Sequence, residues 1–291
     1  LKAKKNLSVC IVPLLVNATN ENLLEKIFIE HKVDIAFHSA AYKHVPLVEE
    51  NPIQGINNNV FSTIAVCNAA ISANSRNVVL ISTDKAVRPT NVMGASKRLA
   101  ELVIGHYAES DSNTLFSMVR FGNVLGSSGS VVPLFERQIQ EGGPITLTDA
   151  NVIRYFMTIK EASQLVIQSM VLAEGGDLFL LDMGEPVHIK ELAIQMVKLS
   201  GLSIQDETNP DGDIEIKVIG LRPGEKLKEE LLINGKALKT KHPLIFRALE
   251  QQKQYNLIEK INILKKHIDD QNSNLVLDTL SQIIPEWKRY K

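Results

Sequence analysis

Short apolar runs alternate with longer amphipathic stretches through the first 120 positions of the chain. The runs Ser8–Val12, Asp34–His38, Val78–Ser82 and Leu115–Phe121 are too short for helices. Their apolar residues follow one another without alternation, which predicts strands buried on both faces. Between them, apolar positions recur every three or four residues, which predicts helices over Glu21–His31, Pro52–Ala73 and Val92–Ala108. Asn20 stands where a helix N-cap is wanted, and Pro52 suits a first turn. Strand and helix in strict alternation give a parallel sheet with right-handed crossovers and helices on both faces.

After Arg120 the pattern changes. A Gly/Ser loop, Gly122–Ser130, leads into a helix over Val131–Glu141. Short strands at Ile145–Thr148, Leu178–Leu181 and Ile214–Ile219 then alternate with helices at Lys160–Leu172 and Ile189–Leu199, with Gly and Pro in the connections. This half reads as a smaller mixed α/β lobe. From about Glu250 the chain is polar and helical without a chemical motif, as expected of a packing element or an oligomer surface.

Charge narrows the possible partners. Among 291 residues, 32 Lys and Arg stand against 33 Asp and Glu, a net charge of −1, and aromatics make up 5%. With no basic stripe, nucleic acid is not an expected partner. No apolar run reaches the roughly 18 residues that a membrane span needs, and no leader pattern is visible, so the expected place of the catalytic part is the cytoplasm. Cys10 and Cys67 both lie in apolar runs and read as reduced core residues. His44 has no second ligand at metal-binding spacing, and no metal is expected.

The chemistry concentrates in Ser82–Lys97. A Ser/Thr pair ends an apolar strand, and the following helix carries Lys97 one turn after Met93. This is the layout of a short-chain dehydrogenase active site with methionine in the tyrosine position. A phenol beside an ammonium is an acid–base group, whereas a thioether has no proton to give. Either the site is inactive, or proton transfer has moved to its neighbours Thr83, Asp84 and Lys85. Burial at the strand end is expected to raise a carboxyl pKa and depress an ammonium pKa there.

The segments His38–Pro46, Ser82–Lys85, Val119–Pro133, Arg154–Thr158, Leu181–Pro186 and Leu221–Leu227 resemble, in order and spacing, the CapD-type polysaccharide biosynthesis proteins. These are nucleotide-sugar 4,6-dehydratases of the extended short-chain dehydrogenase superfamily. The resemblance runs from about Val9 to Ile233. It implies a Rossmann-like doubly wound sheet with NAD as cofactor, a partial NAD-binding domain over residues 1–150, and a substrate lobe with a helical tail over 151–291. It also implies a UDP-sugar substrate, self-association, and a methionine subtype that retains configuration at C5. Asp84 would be the acid for the C6 hydroxyl, Lys85 the base at C5, and Thr83 the relay or orienting group for the C4 hydroxyl proton. Lys97 would hold the nicotinamide ribose, and Met93 would touch nicotinamide or sugar without proton chemistry. Asn17, Ala40, Ala41, Tyr42, Asn59, Ser82 and Phe121 would line the cofactor, with Tyr42, Lys43 and His44 facing cofactor and sugar. Asn123, Arg154, Arg222 and Glu225 would take the nucleotide half of the substrate.

Two departures stand out. No G-x-x-G-x-x-G occurs in the chain, and Asn17 stands where the family has an adenine-contacting Asp. Asn17 is expected to keep a weakened contact through its amide carbonyl. The chain opens on Leu1 and runs almost directly into an apolar segment, so the expectation is a fragment whose Gly-rich part lies upstream, where full-length relatives also carry a membrane region. Two other readings stand: a 4-epimerase of the same superfamily, and an inactive fragment that serves only as an assembly surface.

Overall fold

A computed structural model describes residues 10–233, 236–250, 255–287 and 289. Its main strands are β1 (Ile35–His38), β2 (Asn77–Ile81), β3 (Leu115–Arg120), β4 (Ile145–Leu147), β5 (Asp177–Leu181), β6 (Ile214–Val218), β7 (Ala237–Lys239) and β8 (Ile245–Ala248). Six of them form one sheet in the order β1-β2-β3-β5-β8-β7. The first four are parallel, β8 runs antiparallel to β5, and β7 antiparallel to β8. Three of these strands come from beyond residue 150, so the two lobes are interleaved along the chain.

The unbroken apolar runs follow from cover on both faces. Val78, Leu80, Phe116 and Met118 point into the layer that contains α1 (Glu21–Glu30). Val79, Val119, Phe179 and Leu181 point the other way, onto α6 (Ile159–Val171). The helix α2 (Val45–Glu50) precedes the long helical stretch expected over 52–73. That stretch, α3, consists of Pro52–Ile56, a π turn at Asn57–Phe61, and Ser62–Ser72. A π turn inserts one residue and swings its side chains out of register.

The helix α4 (Val92–Ala108) is buried almost all round. Ala100 and Ile104 face the sheet, whereas Val92, Met93, Leu99 and Val103 pack on α8 (Leu257–Asp269) and α9 (Ser273–Ile283). The polar tail thus closes the core behind α4. A smaller parallel sheet of Ile204–Gln205, β6 and β4 packs against α5 (Val131–Gln140) and α7 (Ile189–Leu199) through Phe135, Ile145, Leu147 and Val197.

One expected strand is absent. Residues 10–12 of the Ser8–Val12 run are irregular and exposed, while residues 8 and 9 lie outside the described residues. A strand needs a neighbouring ladder, and among the described residues nothing pairs with the outer edge of β1. Cys10 is accordingly exposed rather than core, and only Cys67 is buried.

Beneath the sheet's C-terminal end lies a buried ionic knot. Glu101 of α4 accepts from Arg120 Nε and Nη2, both at 2.7 Å, from Arg98 Nη1 at 3.0 Å and from Ser82 Oγ at 2.6 Å. Arg120 also donates to Glu250 at 2.9 Å, and Arg98 Nε to Glu286 at 3.0 Å. Burial works against the Glu101 carboxylate, but Arg120, Arg98 and Ser82 hold its pKa at about 2. Removing one member of such a knot strands the opposite charges in the interior. Glu101→Ala is therefore expected to lose about 3–5 kcal/mol in urea unfolding at neutral pH, and a loss below about 1 kcal/mol would contradict this account. Because the folded pKa is depressed, the Glu101 contribution is present above about pH 4.5. It fades as pH falls towards 2, and the variant should lack that acid slope.

Candidate active site

The site forms where β2 ends. Ser82 N donates to Val119 O and Asp84 N to Phe121 O, which carries the ladder one step past the strand and sets Asp84–Ala86 into a 3-10 turn. Thr83 caps that turn by accepting from Lys85 N at 3.4 Å. The first turn of α4 is pressed onto the same segment. A Cβ at Gly94 would stand 2.3 Å from Lys85 O, and one at Gly122 would stand 3.1 Å from Asp84 Oδ2. Gly94 needs its missing side chain to bring the helix this close to the Asp84–Ala86 turn, and Gly122 leaves room for the Asp84 carboxylate.

Thr83, Asp84 and Lys85 join in one hydrogen-bonded row. Thr83 Oγ1 donates to Asp84 Oδ1 at 2.9 Å, and Lys85 Nζ donates to the same oxygen at 3.0 Å. Glu229 Oε1 lies 3.7 Å from Lys85 Nζ on the other side. The expected depression of the Lys85 pKa does not occur. Burial acts in that direction, but the charges of Asp84 and Glu229 and the bond to Asp84 outweigh it, and the ammonium is held above its ordinary range. The resting lysine is therefore charged. Behind the row, Lys97 Nζ donates to Ile81 O at 2.6 Å. Burial lowers its pKa to about 8 against the opposing pull of Glu101.

On the β1 side, the π turn brings Asn59 inward. Its amide accepts from Tyr42 N at 2.7 Å and donates to Tyr42 O at 3.1 Å and to Ser96 Oγ at 2.9 Å. Asn59 is thereby a clamp between the loop after β1 and α4, leaving Ala40 and Tyr42 at the surface and Ala41 half-buried. Phe121 is half-buried and packs towards α6. Two expected cofactor contacts are engaged elsewhere: Ser82 Oγ goes down into the Glu101 knot, and Asn17 Oδ1 accepts from Thr19 N and Oγ1 in a local turn. Met93 is buried in the apolar cluster under α8 and α9, so its packing is that of a core residue.

The residues present fit one end of a dinucleotide. Small side chains at Ala40 and Ala41 leave the backbone open to close approach, and a buried lysine stands at the adjacent strand end. These residues suit the nicotinamide–ribose end, and no G-x-x-G-x-x-G turn occurs among the described residues.

The expected substrate residues divide. Lys43 and His44 are exposed, and the His44 ring lies where a Cβ at Gly129, at φ +68°, would be 2.5 Å from its Cε1. The loop after β3 and the loop after β1 therefore meet over the site. Asn123 anchors by its backbone N to Tyr155 O. Arg154 was expected to take a diphosphate, yet it is committed inside the protein. Nη1 donates to Ile153 O and Leu227 O, and Nη2 to Lys226 O and, at 3.4 Å, to Glu225. Glu225 also accepts from Thr148 Oγ1 and from Arg222 N. Both are braces of the Arg222–Glu225 turn, whose Gly224 O accepts from Thr90 Oγ1 and Asn91 Nδ2 at the start of α4. The Arg222 residue itself is exposed. The residue that the sequence did not disclose is Glu229. In Lys226-Leu-Lys-Glu-Glu230 it looks like one more charge of a solvated turn, but its side chain is 6% exposed.

This is the α/β sheet and strand-end site of a doubly wound nucleotide-binding protein. A profile of the polysaccharide biosynthesis protein family matches residues 1–250, and the chain belongs to that family. It is 50% identical over 221 residues to the capsular polysaccharide biosynthesis protein CapD of Staphylococcus aureus, covering 76% of this chain and 36% of CapD. It is 36% identical over 204 residues to a UDP-glucose 4-epimerase of Rickettsia rickettsii, covering 69% of this chain and 57% of that protein. The chain thus spans about a third of CapD. Among solved structures, Pen from Bacillus thuringiensis superposes with a TM-score of 0.72 at 37% identity, covering 80% of this chain and 71% of Pen. The dTDP-glucose 4,6-dehydratase DesIV of Streptomyces venezuelae, solved with NAD, shares the fold with a TM-score of 0.64 at 20% identity, covering 74% of this chain and 69% of DesIV.

The buried Lys97 yields a pH dependence with a definite sign. Its folded pKa of about 8 lies below that of a free lysine. The unfolded chain binds more protons between the two values, so stability rises with pH across that window. Urea unfolding from about pH 8 to about pH 10.4 should show a gain of up to roughly 3 kcal/mol that Lys97→Met lacks. Equal slopes in the two proteins would show that Lys97 titrates normally.

Proposed function

We propose that the chain is the catalytic part of a nucleotide-sugar 4,6-dehydratase that uses NAD, acts on UDP-N-acetylglucosamine with C5 configuration retained, and serves surface polysaccharide synthesis on the cytoplasmic side. The observation that carries this reading is the row Thr83–Asp84–Lys85, with two donors converging on one carboxylate oxygen. The family membership and the likeness to CapD support the substrate class. When bound, the nicotinamide supplies the hydride acceptor for sugar C4 and the donor for C6. The chain supplies the protons. Thr83 Oγ1 takes the C4 hydroxyl proton as it hands its own to Asp84 Oδ1. Asp84, now an acid, protonates the departing C6 hydroxyl, while the Lys85 amine removes the C5 proton. The ketone at C4 makes that proton removable, because the charge moves onto its oxygen as an enolate.

The Rickettsia relative favours a second reading, 4-epimerisation of a UDP-hexose. That reaction needs one acid–base group at the sugar O4, the role of a phenol. Met93, buried and without a proton, weighs against it, and the adjacent acid–lysine pair would be idle. Mass spectrometry after incubation with UDP-N-acetylglucosamine and NAD separates the two: loss of one water marks the dehydratase, a mass-neutral isomer the epimerase. Asp84→Asn and Lys85→Ala should each slow water loss by at least about a hundredfold. Wild-type rates in either variant would remove these roles.

Among the described residues no helix is long and apolar enough to cross a membrane.

A further inference from the structure

Proton accounting leaves the row one acceptor short. Lys85 rests as an ammonium on Asp84, yet the reaction needs it as an amine. Asp84 cannot take the lysine proton if it is receiving the C4 hydroxyl proton through Thr83. A second buried acceptor must lie within reach of Nζ.

Glu229 has that position. It is 7% exposed, its Oε1 lies 3.7 Å from Lys85 Nζ, and its Oε2 has no hydrogen-bond partner. The charges that face it are Asp84 and Lys85 from the turn, Arg154 from the short strand Ile153–Arg154, and Lys226, whose Nζ stands 4.0 Å from Oε2. Lys226 is otherwise spent on Val87 O at 2.7 Å, and Arg154 on the carbonyls of Ile153, Lys226 and Leu227.

We propose that Glu229 is the proton acceptor for Lys85, a positioning residue that acts through the lysine and never touches the sugar. One Nζ–H bond breaks, its electron pair stays on nitrogen, and an O–H bond forms on Oε1. Lys85 then takes the C5 proton, returns it to C5, and recovers its own proton from Glu229. The C4 hydroxyl proton leaves in the released water, so the cycle closes. Burial, aided by the Asp84 charge, raises the Glu229 pKa despite Lys85, Arg154 and Lys226, which suits a carboxylate that must accept a proton. The inference rests on Lys85 as the C5 base.

The test is the pH profile of water loss from UDP-N-acetylglucosamine with NAD present. In the wild type the proton stays within the pair, and the rate should be flat from about pH 6.5 to about pH 8.5. In Glu229→Gln the lysine must unload to water. The rate should fall about tenfold at neutral pH and climb with pH, up to about tenfold per unit. Glu229→Asp, which keeps a titrating group, should restore the flat profile. A uniform loss across the range, or a faster reaction at neutral pH, would overturn the proposal. A second readout needs no turnover: acylation of Lys85 in the protein alone, followed by peptide mass spectrometry. Its titration should move down by about one unit in Glu229→Gln, and an unmoved titration overturns the coupling. Water loss that survives Lys85→Ala removes the base reading itself. Loss abolished by Lys85→Ala, with a Glu229→Gln profile parallel to wild type, removes only Glu229.

Discussion

The fully buried Glu101 carboxylate ties together three parts of the chain that are far apart in sequence. It holds the end of β2 through Ser82, the end of β3 through Arg120 and, by way of Arg120 and Arg98, the distant Glu250 and Glu286. Carboxylates are buried like this only when their charge is matched, so the C-terminal segment is needed to neutralise the arginines. Helices α8 and α9 cover the apolar flank of α4, while Glu250 and Glu286, which stand just outside them, complete an ionic core. Its upper member, Ser82, is the residue before the Thr83–Asp84–Lys85 row. Ser82 was expected at the cofactor, but it faces down, and the chemistry starts one residue later.

A second constraint acts from above. The first turn of α4 can approach the Asp84–Ala86 turn only because Gly94 has no side chain. The Arg222–Glu225 turn then locks onto the same place through Gly224 O and the Lys226–Val87 bond. Two lobes thus meet on one reactive turn, and Glu229 enters the site because that docking puts it there. The later half of the chain thereby sets a carboxylate, Glu229, beside Lys85.

Much of this was legible in the sequence. The apolar runs at Asp34–His38, Val78–Ser82 and Leu115–Phe121 gave the parallel strands because cover on both faces leaves a direct compositional trace. The T-D-K row and Lys97 were visible as motifs. What escaped detection depends on partners rather than on residue type. Arg154 has the right group for a diphosphate, but three backbone carbonyls reach it first. Asn17 has the right amide for an adenine, but Thr19 closes onto it. The run Ser8–Val12 has strand composition, but its described residues 10–12 are irregular and do not pair with the open edge of β1. Glu229 has the sequence surroundings of a surface charge but is buried beside Lys85.

Replacing tyrosine by methionine changes what the neighbouring lysine is for. A phenol next to Lys97 would be both proton donor and store, and the lysine would tune it. Met93 stores nothing, and Lys97, bonded to Ile81 O and lowered to about 8 by burial, has no phenol to tune. On the proposed mechanism the proton traffic passes instead to Lys85, at the same strand end, between the carboxylates of Asp84 and Glu229. Such a lysine is a poor base at rest and becomes one only when a carboxylate releases it. A site built this way couples its base to its acid. On the proposed mechanism, the C4 proton that protonates Asp84 also weakens the hold of Asp84 on Lys85, so base and acid become ready in the same step.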